Sequence, residues 1–334
     1  MAITPLEKPL YERVPPHAYF AVSAVFHYLG PAFAVLLFAQ VAPVGVAWLR
    51  IVSAALVLAV WRRPWRAVAT MSWPQRRMLL VLGLVLAGMN SVFYLALARL
   101  PLSTVGAIEF LGVVGLAAFG LRGRRNIAAL ALAVAGVGAL TNVRLGGEPL
   151  GFALAFINCG LFVAYVVVGK RIAGDGGAAG MDRLSAAMVV AAIAAAPVGF
   201  SDAAVAFTHP GLLAAGFAVG ICSSVVPYVC DQLALARLPR ATFALMLAIL
   251  PATATLVGIV VLAQWPSAIE VAGILAVIGG VALHRPDPPS KRRRTTDGLR
   301  PVRTVGSEDF ADLPGNDEFR RPVEPAVASD PGRG

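Results

Sequence analysis

The sequence predicts an all-α integral membrane protein with about ten transmembrane helices, arranged as two inverted five-helix repeats. Three observations lead to this fold class. Hydrophobic residues form 58% of the 334-residue chain and charged residues 14%, against roughly 45–50% and about 25% in soluble domains. Continuously apolar runs of about 17–24 residues recur almost end to end, which indicates spanning helices and excludes the alternating pattern of barrel strands. One heptapeptide also occurs twice.

The apolar runs give ten predicted spans. They cover residues 17–38, 43–61, 79–98, 105–121, 127–142, 150–169, 184–200, 212–236, 243–262 and 269–284. The first run has no small-residue cleavage site before the next span, so we expect a retained helix and not a signal peptide. Residues 1–15 are predicted to form a cytoplasmic N-terminal tail. Residues 285–334 combine many prolines with mixed charges, and we expect a disordered cytoplasmic tail there.

Basic residues separate by side of the membrane in this arrangement of spans. Fifteen lysines and arginines of the N-terminal tail and the loops fall on one side, and only Arg99 and Arg144 fall on the other. Cytoplasmic loops accumulate lysine and arginine, so both termini are predicted to be cytoplasmic. The net charge of +10 then reflects topology, and we expect a plasma or inner membrane location and no nucleic-acid partner.

The heptapeptide Leu-Ala-Leu-Ala-Arg-Leu-Pro stands at 95–101 and again at 233–239, an offset of 138 residues. Flanking segments match at offsets of 132 and 143, namely 52–55 with 184–187 and 133–140 with 276–283. These matches predict one duplicated unit, with residues 16–142 as the first five-helix repeat and residues 143–284 as the second. An odd number of helices in each unit inverts the second copy, an architecture associated with alternating-access transporters.

Ionisable side chains inside the predicted spans are candidates for function, because each costs about 2.5–3.5 kcal/mol at a helix centre. His27, Arg50, Glu109 and Asp231 are four such residues. Glu109 lies too deep in its span to reach the interface, so we expect it to carry a coupling proton or to bind a substrate ammonium group. A structural role, such as pairing with Arg50, is the alternative for both carboxylates, and an interior hydrogen-bonded role is the commoner one for His27.

Polar and aromatic residues at helical spacing favour a shared cavity. Three predicted helices each carry one such stripe: Ser224, Tyr228 and Asp231; Asn158, Phe162 and Tyr165; and Asn90 with Tyr94. The candidate substrate- or proton-binding residues are therefore Glu109, Asp231, Asn90, Tyr94, Tyr228, Arg50, Tyr165, Asn158 and His27. Interhelical hydrogen bonding is the alternative use of these polar groups. We expect no catalytic residue, metal site, cofactor or disulfide.

A group of motifs carries a resemblance to a known family: Gly88-Met89-Asn90, Phe93-Tyr94-Leu95, Leu100-Pro101-Leu102, Glu109-Phe110, Pro227-Tyr228 and Arg237-Leu238-Pro239. Over about residues 16–284 the chain resembles the ten-helix EamA-type branch of the drug/metabolite transporter superfamily, and within it the threonine and homoserine exporters. The resemblance implies proton-linked secondary transport and export of small amino acids. The chain departs from the family pattern at Leu250-Pro251, where the family has Glu-Pro, and at Ala263-Gln264, where it has Gly-Glu.

Other functions stay open at this stage. The same fold could export another metabolite or a drug-like cation, and a non-transporting membrane scaffold or receptor is a different class. An intramembrane enzyme would need a nucleophile–base pair or a metal-binding motif, and the sequence has neither. We expect a small-molecule substrate and membrane lipid as partners, and we leave a homodimer open.

Overall fold

The computed structural model describes residues 14–119, 124–142, 148–173, 177–235, 237, 246 and 249–283, which are helical apart from short connections. Their α-helices are, in chain order, α1 (Pro16–Leu37), α2 (Pro43–Arg62), α3 (Pro64–Thr70), α4 (Trp73–Leu97), α5 (Leu102–Phe119), α6 (Arg124–Asn142), α7 (Pro149–Ala173), α8 (Gly177–Thr208), α9 (Pro210–Gly220), α10 (Val226–Leu235), α11 (Leu250–Leu262) and α12 (Ala268–Leu283). A π-helical turn, Ile221–Val225, joins α9 to α10. The predicted all-α class is confirmed for this part of the chain.

Several helices have the length and composition of membrane spans. Within the described ranges, six stretches are long and apolar enough to cross a bilayer: Pro16–Leu37, Pro43–Arg62, Trp73–Leu97, Pro149–Ile172, Ala179–Thr208 and Pro210–Asp231. Shorter apolar segments are Leu102–Gly112, Leu250–Leu262 and Ala268–Leu283. These helices describe a multi-pass membrane protein. The predicted tail 285–334, most of the predicted tail 1–15 and the loop that carries Arg144 lie outside the described residues.

The structure differs from the predicted spans in helix length. The predicted span 184–200 lies inside α8, a helix of 32 residues. It begins before that span, where Asp182 in its first turns pairs with Arg62 at 2.8 Å, and it ends eight residues after it. Helix α4 also begins before its apolar run, at a capping box in which the backbone N–H of Ser72 donates to Oε1 of Gln75 at 2.9 Å.

Proline sets where many helices begin. The first residues of α1, α2, α3, α7 and α9 are Pro16, Pro43, Pro64, Pro149 and Pro210. At this position the missing N–H costs no intrahelical bond, and the ring fixes a helical φ. The short helix α3 was not predicted. It is separated from α2 by Arg63, whose φ of 50° lies in the left-handed region.

Long helix pairs build the bundle. Helix α2 packs along α8, and α6 packs along α12. Helix α4 packs against α7 and α8, while α1 packs against the π-helical turn and α10. A Cβ atom at Gly136 would lie 2.5 Å from the carbonyl oxygen of Gly273, so α6 and α12 touch through their backbones. Small residues permit this close approach of helices in a membrane.

One end of the bundle is basic and carries exposed tryptophans, and we call it the basic face. Arg62 stacks on Trp61 at 5.5 Å and Arg77 on Trp73 at 5.0 Å, distances from the guanidinium carbon to the ring centroid. Tryptophan and basic side chains concentrate at membrane–water interfaces. The same end carries Arg183, which donates to the backbone oxygen of Ile172 near the end of α7. We call the other end, with Arg99 and Gln264, the opposite face.

Candidate functional site

A cavity of about 460 Å³ lies among α1, α2, α4, α5, α7, the π-helical turn and α10. Eight of the nine predicted site residues line it: His27, Arg50, Asn90, Glu109, Asn158, Tyr165, Tyr228 and Asp231. Tyr94 is buried beside the cavity, and its ring centroid lies 5.5 Å from the guanidinium carbon of Arg50. The structure therefore brings the predicted residues together, while their binding roles stay predictions.

The cavity extends from the interior of the bundle toward the basic face. Glu109 lies about two turns from the start of α5, at the inner end of the cavity. Lys170, in the last turn of α7, and Asp231, in the last turns of α10, line the end near the basic face. Asp231 and Glu109 are therefore separated along the length of one cavity.

The opposite face is closed above Glu109. Leu97, Leu100 and Leu102 are buried where α4 ends and α5 begins. The backbone N–H of Leu102 donates to Oε1 of Gln264 at 3.1 Å, which ties the start of α5 to the segment after α11. Gln264 follows Ala263, whose φ of 53° ends α11 in the left-handed conformation. Gln264, which makes this contact, is one of the residues at which the chain departs from the family pattern.

Arg50 supplies a buried positive charge to the site and is only 8% exposed. Its Nε donates to Oγ of Ser224 at 3.2 Å, and one of its terminal nitrogens donates to the backbone oxygen of Ser223 at 3.2 Å. Among the described residues, no carboxylate lies within ion-pair distance of Arg50. A guanidinium has five N–H groups, so donors remain for an anion in the cavity.

Pro227 explains why the backbone oxygen of Ser223, in the π-helical turn, can accept from Arg50. In an α-helix the carbonyl of Ser223 would accept from the residue four positions later, which is Pro227, and proline has no N–H. The freed carbonyl is used instead by the guanidinium. The oxygen of Pro227 accepts from Oγ of Ser23 at 3.4 Å, which links α1 to α10. Such π-helical turns occur frequently at functional sites.

Glu109 supplies a buried carboxyl group, 6% exposed. Nδ2 of Asn158 donates to its Oε1 at 3.3 Å. Oδ1 of Asn158 is buried and has no hydrogen-bond partner in the part of the chain that the structure covers. Asn158 therefore presents an unused acceptor next to the carboxyl group. Asn90 points one N–H back to the oxygen of Leu86 at 2.7 Å, within its own helix.

Sequence reasoning missed three polar lining residues: Ser23, Ser223 and Lys170. Lysine at the end of a span indicated only a cytoplasmic loop, and serine is a common residue of membrane helices. The one available signal was Pro227, because a proline inside a span frees the carbonyl four residues before it. His27 lies where expected, and its ring meets that of Tyr28 edge to face at 5.2 Å between centroids.

The site combines one guanidinium with two carboxyl groups and several amide and hydroxyl groups in an enclosed volume. Such a cavity suits a small zwitterion, whose two charges match the charges of the lining. Within the described ranges, no group of three or more histidine, cysteine or acidic residues could hold a metal ion.

Comparison with known proteins assigns the family. No family model matches the chain. Two relatives named threonine/homoserine exporter RhtA, from Salmonella typhimurium (strain SL1344) and Escherichia coli (strain K12), are each 32% identical over 254 residues, or 75% of this chain and 84% of the relative. The chain belongs to the EamA-type drug/metabolite transporter family.

The fold comparison agrees with that assignment. A solved crystal structure aligns with this transporter at a TM-score of 0.52 and 19% identity, over 81% of this chain and 98% of that chain. At that identity the match supports the shared fold alone. This transporter is a multi-pass membrane protein, and the relatives that define its family are named as exporters and not as enzymes.

Proposed function

We propose that this transporter exports small amino acids, including threonine and homoserine, by secondary transport driven by a proton gradient. The observation that carries the proposal is that Arg50 and Glu109 line one cavity. The carboxylate of an amino acid would pair with Arg50, and its ammonium group with Glu109 or Asp231. The printed names of the relatives support amino acids as the substrate class.

The proposal includes ten spanning helices in two inverted repeats, residues 16–142 and 143–284. Helix packing supports this arrangement, because exchanging the two copies maps the main contacts onto each other. The pairs α2–α8 and α6–α12 join helices that are equivalent in the two copies, and the pair α4–α7 corresponds to the pair α10–α1. Residues 285–334 would form a separate cytoplasmic tail.

The repeated heptapeptide gives further support for the inversion. Arg99 and Arg237 hold the same place in its two copies. A terminal nitrogen of Arg99 lies 3.7 Å from a carboxylate oxygen of Glu148, the residue before α7. Arg237 donates to the backbone oxygen of Val14, just before α1, at 2.7 Å. Each arginine thus contacts the entrance to the first helix of the other copy, as a pseudo-two-fold axis in the membrane plane requires.

The basic face would be cytoplasmic, with both termini on that side, because lysine and arginine accumulate in cytoplasmic loops. The cavity extends toward this face and is closed at the opposite one by Leu102 and its bond to Gln264. The structure would then correspond to a state that loads substrate from the cytoplasm. An exporter begins its cycle in this state.

Glu109 would couple transport to protons. Its carboxyl group lies at the inner end of the cavity, where binding of a proton and binding of a substrate ammonium group exclude each other. Intramembrane carboxyl groups serve as proton carriers in many transporters. Exchange of one ligand for the other at Glu109, as the cavity opens to alternate sides, would link amino-acid export to proton entry.

The test is transport by the purified full-length chain in proteoliposomes, with a panel of radiolabelled amino acids and with or without an imposed pH gradient. We expect counterflow of threonine and homoserine without the gradient, and accumulation with it. Counterflow without accumulation would contradict proton coupling. If no amino acid exchanges, the proposal fails, and export of another metabolite or a drug-like cation becomes the better description.

A further inference from the structure

The hydroxyl group of Tyr28 is a buried polar group that the mechanism proposed above does not use. Tyr28 lies on α1, and its side chain has no exposed surface. Among the residues that the structure describes, its hydroxyl oxygen has no hydrogen-bond partner. Buried hydroxyl groups nearly always have a partner, because the free energy lost with their bonds to water is otherwise not offset. A partner in another state of the transport cycle would account for this group.

Tyr28 packs against α5 one turn before Glu109. A Cβ atom at Gly106 would lie 3.1 Å from the hydroxyl oxygen of Tyr28 and 3.2 Å from Cβ of Ala254 in α11. Gly106 precedes Glu109 by three residues, a spacing that puts both positions on one helix face. Tyr28 is also close enough to Glu109 for the two side chains to interact electrostatically. The missing side chain at Gly106 is what lets Tyr28 approach α5 here.

Tyr28 lies on the closed side of Glu109. Helix α5 begins at the opposite face with Leu102, so Gly106 is nearer to that face than Glu109 by about 4.5 Å along the helix axis. Side chains of an α-helix lean toward its N-terminus, which for Glu109 is the turn that contains Gly106. A change of rotamer would therefore carry the carboxyl group from Asn158, on α7, toward the hydroxyl group of Tyr28.

The other ionisable side chains near Glu109 belong to the cavity lining. They come from α1, α2, α7 and α10: His27, Arg50, Tyr165, Lys170, Tyr228 and Asp231. Tyr28 is not part of the described lining. Its hydroxyl group is therefore available to Glu109 and not to a substrate in the cavity.

We infer that Tyr28 is a positioning residue for the coupling carboxyl group, and that its hydroxyl group is the second hydrogen-bond partner of Glu109. While substrate is bound, the carboxylate stays with Asn158 and the substrate ammonium group. After release, the carboxylate turns to Tyr28, which donates its O–H and holds the carboxylate toward the opposite face, from which the proton arrives. The inference rests on the proposed function, since it assumes that Glu109 exchanges substrate for a proton.

The test is Tyr28→Phe in the full-length chain, which removes the hydroxyl group and keeps the ring. Two modes of threonine transport are measured in proteoliposomes: counterflow without a pH gradient, and the initial rate of accumulation with one. In counterflow the substrate ammonium group stays near Glu109 at every crossing, so we expect an unchanged rate and half-saturation concentration. Accumulation requires the empty transporter to take up a proton, so we expect its initial rate to fall about tenfold, as for the loss of a hydrogen bond to a charged group.

Thermal unfolding in detergent separates this role from a structural one. Removing a buried hydroxyl group that has no partner breaks no hydrogen bond, so we expect Tyr28→Phe to unfold at the wild-type temperature or above it. Tyr19→Phe is the matched control, because Tyr19 lies on the same helix and outside the described lining, and both transport modes should stay at the wild-type level.

The outcomes distinguish the inference from the proposed function. Accumulation by Tyr28→Phe at the wild-type rate, or an equal fall in both transport modes, overturns the inference and leaves the proposed function standing. A wild-type chain that exchanges threonine but gains nothing from the pH gradient contradicts proton coupling, and the inference with it.

A second variant keeps the hydroxyl group and moves it. Gly106→Ala places a methyl group 3.1 Å from the oxygen of Tyr28, so the tyrosine must shift by a few tenths of an ångström. We expect the initial rate of accumulation to fall several-fold, with an unchanged half-saturation concentration for counterflow. Gly115→Ala is the matched control on α5, because a Cβ atom there has no described neighbour within 4 Å. An unchanged rate of accumulation in Gly106→Ala and Tyr28→Phe alike contradicts the inference.

Discussion

Asn158 donates a side-chain N–H to Oε1 of Glu109 at 3.3 Å, while its own Oδ1 is buried without a partner among the residues that the structure describes. The side-chain amide of Asn158 can form a hydrogen bond with the carboxyl group of Glu109 whether that group is charged or neutral. Its N–H stabilises the carboxylate, and its free oxygen can accept from a protonated carboxyl or from an ammonium group. Asn158 is thus suited to a Glu109 that changes its ligand during transport.

We expect Glu109→Gln to abolish accumulation driven by a pH gradient while the protein stays folded and inserted. Glutamine has nearly the same shape, and its oxygen can still accept from Asn158, but it cannot take up a proton at neutral pH. Glu148→Gln is the control, because Glu148 is half-exposed at the opposite face and lies outside the cavity. Accumulation by Glu109→Gln at the wild-type level would reduce Glu109 to a structural role.

Arg50 should determine binding of the substrate carboxylate. We expect Arg50→Lys to raise the half-saturation concentration for counterflow about tenfold, because lysine keeps the charge but lacks the planar fork that binds a carboxylate through two N–H groups. Ser224→Ala removes the hydrogen bond to Nε and should cost about 1 kcal/mol, or roughly fivefold in affinity. Ser201→Ala, at an exposed position of α8, should leave the affinity unchanged. Wild-type affinity in Arg50→Lys would argue against a carboxylate site.

The charged part of the site could be predicted from the sequence, because a charge in an apolar run is visible without a structure. Arg50, Glu109 and Asp231 were found in this way, and all three line the cavity. The partners of Arg50 were not found. Both partners lie in the π-helical turn, and helical spacing alone does not show which of its groups meet Arg50.

The residues at which the helices begin and end also could not be predicted from the hydropathy pattern. Hydropathy marks the apolar part of a helix, whereas α8 begins before its predicted span, at the basic face, where Asp182 and Arg62 pair. This contact joins the end of α2 to the start of α8, two segments that lie 120 residues apart in the chain. Lys170 illustrates the same limit, since a residue placed in a loop by hydropathy lines the cavity.

Close packing of α6 and α12 should make Gly136 sensitive to substitution. A methyl group there would lie 2.5 Å from the oxygen of Gly273 and 3.0 Å from Cβ of Ala276, so we expect Gly136→Ala to destabilise the protein by about 1–3 kcal/mol. Gly138→Ala is the matched control on the same helix, because a Cβ there has no neighbour within 4 Å. Thermal unfolding in detergent should show a lower midpoint for Gly136→Ala only. Equal midpoints would mean that the two helices separate easily.

The proposed topology places residue 290 in the cytoplasm and the 143–149 loop on the other side of the membrane. Reporter fusions that are active in only one compartment should therefore give opposite results at the two sites. The expectation follows from the basic residues, which concentrate at the end with Arg62 and Lys170, whereas Arg99 lies at the other end. If both fusions report the same compartment, the ten-helix inverted arrangement is wrong.

Asn90, Tyr228 and Asp231 should be reached by solvent through one opening. All three line the cavity, with Asp231 and Tyr228 nearer the basic face and Asn90 deeper. In a background with Cys159, Cys222 and Cys230 replaced by alanine, we expect single cysteines at these positions to react with a small polar thiol reagent added to the cytoplasmic side. Labelling should be fastest at position 231 and slowest at position 90, and saturating threonine should slow all three, because a substrate in the cavity would occupy the volume that these side chains line. A cysteine at Val260, which is 74% exposed on the outer surface of α11, should stay unlabelled in lipid. Labelling that ignores every transported amino acid would assign these residues to helix packing.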